Sequence, residues 1–212
     1  MSYLNNPMGI ENRSFEIIEK ELKEIKDYDF DENQMKIVKR IIHTTADFSL
    51  ADQIVFKGGA VDKSLTTLEK GCKIYVDTKM IAAGVNKKKL RQFGCELVNF
   101  VSDEDVAIEA KKRCVTRSTV SMEKACKCDE IRGFVIGNAP TALYKLIELV
   151  KENKVKPDFI FGVPVGFVGA KESKELLLDI DVPSISIQGR KGGSTISVAV
   201  LNALFYILNN ER

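Results

Sequence analysis

Three times in its second half the chain repeats one pattern: a short β-prone run, a loop containing glycine, then a helical segment. The runs are Gly133-Phe134-Val135-Ile136, Phe159-Ile160-Phe161-Gly162 and Ser184-Ile185-Ser186-Ile187. Neighbouring parallel strands need a crossover of a dozen or more residues, and a helix of this length supplies it. Such a repeat argues for a parallel sheet covered by helices on both faces.

Two earlier runs belong to the same sheet, Lys73 to Asp77 and Glu96 to Val101, separated by a helical segment holding Met80, Ile81 and Leu90. Upstream, Phe15, Ile18, Leu22 and Ile25 recur at helical spacing. Asp31 can cap a second helix, whose stripe is Met35, Val38, Ile42 and Ala46 with Ile41 at its edge. Gly58-Gly59 punctuates before a helix from about Val61 to Lys70, and Asp103 to Lys112 and Ser118 to Lys127 read as two more. The expected fold is α/β: a three-layer, doubly wound, five-stranded parallel sheet with additional N-terminal helices. No linker or break in composition divides it, so residues 1–212 form a single domain.

Open parallel sheets bind ligands beyond the carboxyl ends of their strands. Here those ends carry Gly137-Asn138-Ala139-Pro140, Val163-Pro164-Val165-Gly166-Phe167-Val168-Gly169, and Gln188-Gly189-Arg190-Lys191-Gly192-Gly193-Ser194. Each loop runs into a helix, whose first N–H groups and positive end form a cradle for anions. Glycine also simply makes tight turns, so one such loop says little. Three at one edge suggest a large ligand with several anionic groups, gripped through Gly137, Asn138, Gly166, Gly192, Gly193 and Ser194, with Arg190 and Lys191 adding charge. Walker spacing fails in both candidate loops, and no strand is followed by Gly-x-Gly-x-x-Gly with an acidic partner. Gly-x-Ser-x-Gly is absent as well, and Cys126-x-Cys128 with a single histidine makes no zinc set.

That histidine is His43, in Arg40-Ile41-Ile42-His43-Thr44-Thr45-Ala46-Asp47. Histidine is the side chain whose unperturbed pKa lets it exchange a proton near neutrality. At 100° per residue it falls off the apolar stripe and shares a flank with Lys36, Arg40 and Asp47, facing either solvent or a polar pocket. An ordinary surface histidine would look the same. Arg40 would oppose its protonation and Asp47 would favour it.

Bulk properties narrow the class. Lys and Arg nearly balance Asp and Glu, for a net charge of +2, so the chain lacks the electrostatic footprint of a nucleic-acid binder. Its longest apolar stretch, Ile196 to Leu208, is too short for a bilayer, which wants roughly 20 residues. Met1 to Ile10 shows no secretory pattern, and five irregularly spaced cysteines fit reduced thiols; the expected location is the cytoplasm.

Taken together, several of these stretches resemble the precorrin-8 methylmutase (precorrin isomerase) family. They are Arg13-Ser14-Phe15, Ile42-His43-Thr44, Val115-Thr116-Arg117-Ser118, Gly137 to Leu143, Gly162 to Ala170 with Glu172-Ser173-Lys174, and Gly192-Gly193-Ser194. The likeness runs nearly end to end; the cysteines near Cys126 are local variation. It implies a mutase of cobalamin biosynthesis that moves a methyl group from C-11 to C-12 of precorrin-8 or its cobalt form, giving hydrogenobyrinic or cobyrinic acid. The resemblance makes His43 the proton donor, places Ser14 and Arg117 in the substrate pocket, and implies a homodimer with the site near the subunit interface. Arg40 and Thr44 flank the donor, while Val165 and Phe167 would face the ring. The reaction needs no cofactor and no protein-bound metal. Two other classes stay open: a non-catalytic corrinoid carrier, and a nucleotide- or phosphosugar-using Rossmann-like protein.

Overall fold

The computed structural model describes residues 7–210; most of the Met1 to Ile10 stretch read for a leader lies outside them. Two helices open the described chain, α1 (Pro7–Ile25) and α2 (Glu32–Thr45). A 3-10 turn, Phe48–Asp52, leads to β1 (Ile54–Lys57), α3 (Ala60–Glu69) and β2 (Lys73–Val76). Then come α4 (Lys79–Gly84), α5 (Lys87–Gln92), β3 (Glu96–Val98), α6 (Glu104–Arg113) and α7 (Arg117–Ala125). The regular half supplies β4 (Ile131–Ile136), α8 (Pro140–Lys151), β5 (Phe159–Gly162), α9 (Ala170–Leu178), β6 (Ser184–Ile187) and α10 (Ser194–Leu208).

The sheet order is β1-β6-β5-β4-β2-β3. The five strands anticipated from sequence are mutually parallel, and the winding direction reverses between β2 and β4. A sixth strand extends them: β1 pairs antiparallel with β6, Ile54 opposite Ile187 and Lys57 opposite Ser184. Its four residues are too few for a periodicity to stand out, and the partner that makes them a strand lies far along the chain.

Alternation along the strands sorts side chains into two cores. Ile74, Val76, Val135, Phe159 and Phe161 face a layer built from α1 to α3 and α10. Tyr75, Phe134, Ile136 and Ile160 face α7, α8 and α9. The long apolar stretch Ile196 to Leu208 is α10, packed against α2, α3 and α4 as well as the sheet, which is why it is apolar all round. No helix among the described residues is long and apolar enough to cross a membrane.

In α2 the Asp31 cap is present as a full capping box with Gln34. The buried face is Ile37, Val38, Ile41 and Ile42, whereas Ala46 leaves the helix in a left-handed conformation, φ 53°, and is exposed. The stripe therefore ends before Ala46, and the chain turns abruptly just after Thr45.

Candidate active site

That turn decides where His43 goes. Asp47 accepts the Ser49 N–H, starting the 3-10 turn, and the chain then enters β1 beside the last residue of β6. Because β1 is antiparallel, its beginning lies at the carboxyl end of the parallel strands. Gln188 donates its N–H to Gln53 at 2.7 Å, fastening this approach to the loop after β6. The end of α2 bearing His43 and Thr44 thus stands at the ligand-binding edge within one chain. Thr44 lines a cavity of about 200 Å³ there with Arg40, Met80, Gly84, Thr195, Val198 and Asn202.

His43 is exposed, and its ring rests on Phe15 of α1, centroids 5.1 Å apart. Ser14, one residue earlier, bonds back to the Ile10 carbonyl at 2.9 Å, as Thr44 does to Arg40 at 2.9 Å. Arg40 is well occupied: it pairs with Glu11 at 3.2 Å and lies over the rings of Phe15 and Tyr206. It also lines a second groove, about 300 Å³, between α1, α2 and α10. Asp47 does not serve His43. Its carboxylate is held below the ordinary range by hydrogen bonds from Lys191 and then Ser49.

The first glycine loop is not the open anion cradle anticipated for Gly137 and Asn138. Asp77, directly after β2 and only 3% exposed, fills it: Gly137 donates to Oδ1 at 3.0 Å, Asn138 and Ala139 to Oδ2 at 2.8 and 2.7 Å. Burial pushes the Asp77 carboxyl up, against these same backbone donors. An internal carboxylate has taken the place of a ligand's at the point where the sheet reverses. Gly137 also lets α10 approach, since a Cβ there would lie 2.5 Å from the Ser197 hydroxyl.

The other two loops bond largely to each other. Gly193 donates to the Val163 carbonyl at 2.8 Å and Gly166 to that of Arg190 at 3.2 Å. Gly192, at φ +159°, passes so close to Val163 that a Cβ would meet its carbonyl at 2.2 Å. The Gly166 and Gly193 N–H groups are therefore engaged within the fold and are not open donors for an anion. Ser194 shares a hydrogen bond with Thr78 at 2.9 Å. Val165 and Phe167 project outward, Phe167 83% exposed, with the Arg190 guanidinium over its ring.

Arg117 reaches the same edge from the opposite layer. It begins α7, and Thr116 before it bonds Thr141 of α8 at 2.9 Å. Arg117 is exposed and lines an open hollow with Ile108, Lys111 and Val115. His43 and Thr44 come from one layer, Arg117 from the other, and Phe167, Arg190 and Ser194 from between. Asp77, Thr78 and Tyr206 were not singled out from sequence, and Phe15 was read as part of a helix stripe and a family motif without a contact to His43. Asp77 had a usable signal, an acid at a strand's carboxyl end beside the reversal; the two rings are joined to the site only by tertiary contacts.

Lys174 of α9 is 2% exposed, its ammonium donating to the Lys191 carbonyl at 2.6 Å. Burial lowers its pKa to about 8. The unfolded chain then holds this proton more tightly than the folded one, so the destabilisation is full below pH 8 and disappears as pH rises past the ordinary lysine value. Thermal melts of Lys174→Met and the parent across pH 7–10.5 should show the variant's relative advantage shrinking with pH, by up to ~3 kcal/mol. A gap independent of pH would contradict this.

A family model described as precorrin-8X methylmutase matches residues 9–207. A cobalt-precorrin-8 methylmutase of Priestia megaterium is 44% identical over 198 residues, 93% of this chain and 87% of the relative. Another, from Leptospira interrogans, is 43% identical over 212 residues, 96% of this chain and 94% of the relative. The crystal structure of a precorrin-8x methyl mutase from Thermus thermophilus matches with a TM-score of 0.87 at 36% identity, covering 96% of this chain and 97% of that one.

Proposed function

The chain belongs to the precorrin-8X methylmutase family, and we propose on that premise that its substrate is precorrin-8, free or with cobalt, and that His43 is the proton donor. The protein is an isomerase of cobalamin biosynthesis. The observation that carries the assignment to His43 is its position: the chain's one histidine stands exposed at the carboxyl edge of the sheet, where α2 ends.

The reaction moves a methyl group from C-11 to C-12 within one molecule. Atoms are conserved, so any proton given to the macrocycle must be given back. In this reading His43 protonates a conjugated position of the ring, which eases the methyl shift, and the imidazole then recovers the proton. General-acid help of this kind is typically worth ~10²–10⁴-fold. Phe15 holds one face of the imidazole, limiting its orientations. Ser14 and Thr44 lie one residue from Phe15 and His43 and orient donor or substrate. Arg117 and Arg190 grip peripheral carboxylates, for which guanidinium forks are suited. Val165 and Phe167 offer apolar surface to the ring.

The protein works in the cytoplasm as a homodimer with the site near the interface. The exposed Phe167 and Val168, 83% and 89% accessible, support a partner surface beside the site. Incubation with metal-free and cobalt-containing precorrin-8 in parallel tests the activity. The corrin absorption spectrum should change while mass stays constant, for one ring form or both. The two cobalt-named relatives make the cobalt form the first to try. Binding of both without spectral conversion would make this a carrier instead.

A further inference from the structure

Lys191 connects two parts of the site that lie 144 residues apart. Its ammonium donates to Asp47 Oδ2 at 2.6 Å and to Ser49 Oγ at 2.6 Å, across the gap between the loop after β6 and the end of the His43 helix. Asp47 is fixed in turn, accepting from the Ser49 N–H at 3.1 Å and its hydroxyl at 2.6 Å. At its other end Lys191 is anchored through its carbonyl to the buried ammonium of Lys174, at 2.6 Å. Gly193, two residues on, is pinned to Val163. The loop therefore has a buried footing, and its one long arm reaches the residues that follow α2.

Stability does not account for this arm. The side chains of Lys191 and Asp47 are 48% and 34% accessible, and exposed ion pairs add little to folding. A geometric role does account for it. His43 sits four residues before Asp47, on the last turn of α2, and the Lys191 clamp holds the chain to the loop between that turn and the Gln53–Gln188 bond. Misplacement of a reacting group by 1 Å can cost ~100-fold in rate.

We infer that Lys191 is a positioning residue of the isomerase: by clamping Asp47 and Ser49 it sets the spacing between His43 and the Gln188 to Ser194 loop, with Lys174 as its footing. The inference rests on the proposed function for its kinetic consequence, though not for its structural one. Two of the three donors of the Lys191 ammonium are taken up by the clamp.

The test uses Lys191→Met, Lys191→Arg, Asp47→Asn and the double variant Lys191→Met/Asp47→Asn of the full chain. Asparagine at 47 still caps the 3-10 turn, so the charge alone is removed. Lys191→Met should lower kcat about 10-fold, with the Kd for product changed by less than about 2-fold, because orientation and not binding is lost. Lys191→Arg should recover most of kcat, and the double variant should be no slower than Lys191→Met, since both changes open one clamp. Wild-type kcat in Lys191→Met, or losses that multiply in the double variant, would overturn the inference. So would a raised KM in Lys191→Met together with a lowered KM in Asp47→Asn, which would put Lys191 on the substrate. Hydrogen exchange in the ligand-free proteins separates this from the assignment of the reaction. Amides of residues 43–49 and 188–194 should exchange several-fold faster in Lys191→Met than in the parent. Unchanged exchange refutes the clamp even if precorrin-8 is isomerised, and faster exchange upholds it even if precorrin-8 is not.

Discussion

Replacing His43 with asparagine should reduce turnover of precorrin-8 by ~10²–10⁴-fold, the usual worth of a positioned general acid. Product binding should change by less than about 3-fold, because the carboxylate grip assigned to Arg117 and Arg190 is untouched. The fold should barely notice. His43 is exposed and contributes to neither core, and surface substitutions of this kind usually shift stability by less than ~0.5 kcal/mol. The combination of intact melting, intact binding and lost kcat is what a proton donor predicts and what a structural histidine does not. Wild-type turnover in His43→Asn, followed by the corrin spectrum, would remove His43 from the mechanism.

Asp77→Asn should do the reverse, damaging the fold first. The carboxylate receives N–H groups from Gly137, Asn138 and Ala139, with both oxygens accepting. An asparagine amide presents an NH₂ to at least one of those donors, leaving a buried N–H unpaired. Removing the buried charge offsets part of that loss, so the net cost is about 2 kcal/mol. For a chain of this size that corresponds to a melting point lower by ~4–8 °C. Asp181→Asn, at an exposed position, is the control and should change stability by less than ~0.5 kcal/mol. Equal melting of Asp77→Asn and the parent would mean that the three contacts contribute nothing. Because Gly137 packs directly against the start of α10, the surviving fraction of Asp77→Asn should also be a slower enzyme.

These two residues mark what could be read in advance. Helical spacing located α1 and α2, Asp31 announced its cap, and the three repeated units placed β4, β5 and β6 within two residues. The same periodicity put His43 off the apolar stripe, which the structure agrees with, but gave no reason to prefer a site over plain solvent. That preference came from family likeness. Long-range pairings were not readable: β1 becomes a strand only through β6, and Phe15 and Tyr206 reach Arg40 only through packing. Local rules also misjudged the first glycine loop. A helix start looks like an anion cradle whether the anion comes from a ligand or from Asp77, because the donors are identical in both cases.

The antiparallel seam between β1 and β6 also governs when the site comes into being during synthesis. The surfaces that place His43, Ile187, Gln188, Lys191 and the flank of α10, are made long after it, Lys191 following Asp47 by 144 residues. At about 5–20 residues per second the ribosome takes on the order of ten seconds to travel that distance. Through that interval Ile37, Val38, Ile41 and Ile42 lack the α10 surface that covers them in the finished fold. A nascent chain halted before Ser194 holds His43 and two of the three glycine loops complete, yet lacks Thr195, Val198 and Asn202 of the cavity beside Thr44. Completion of the cavity beside Thr44 is thus timed by α10.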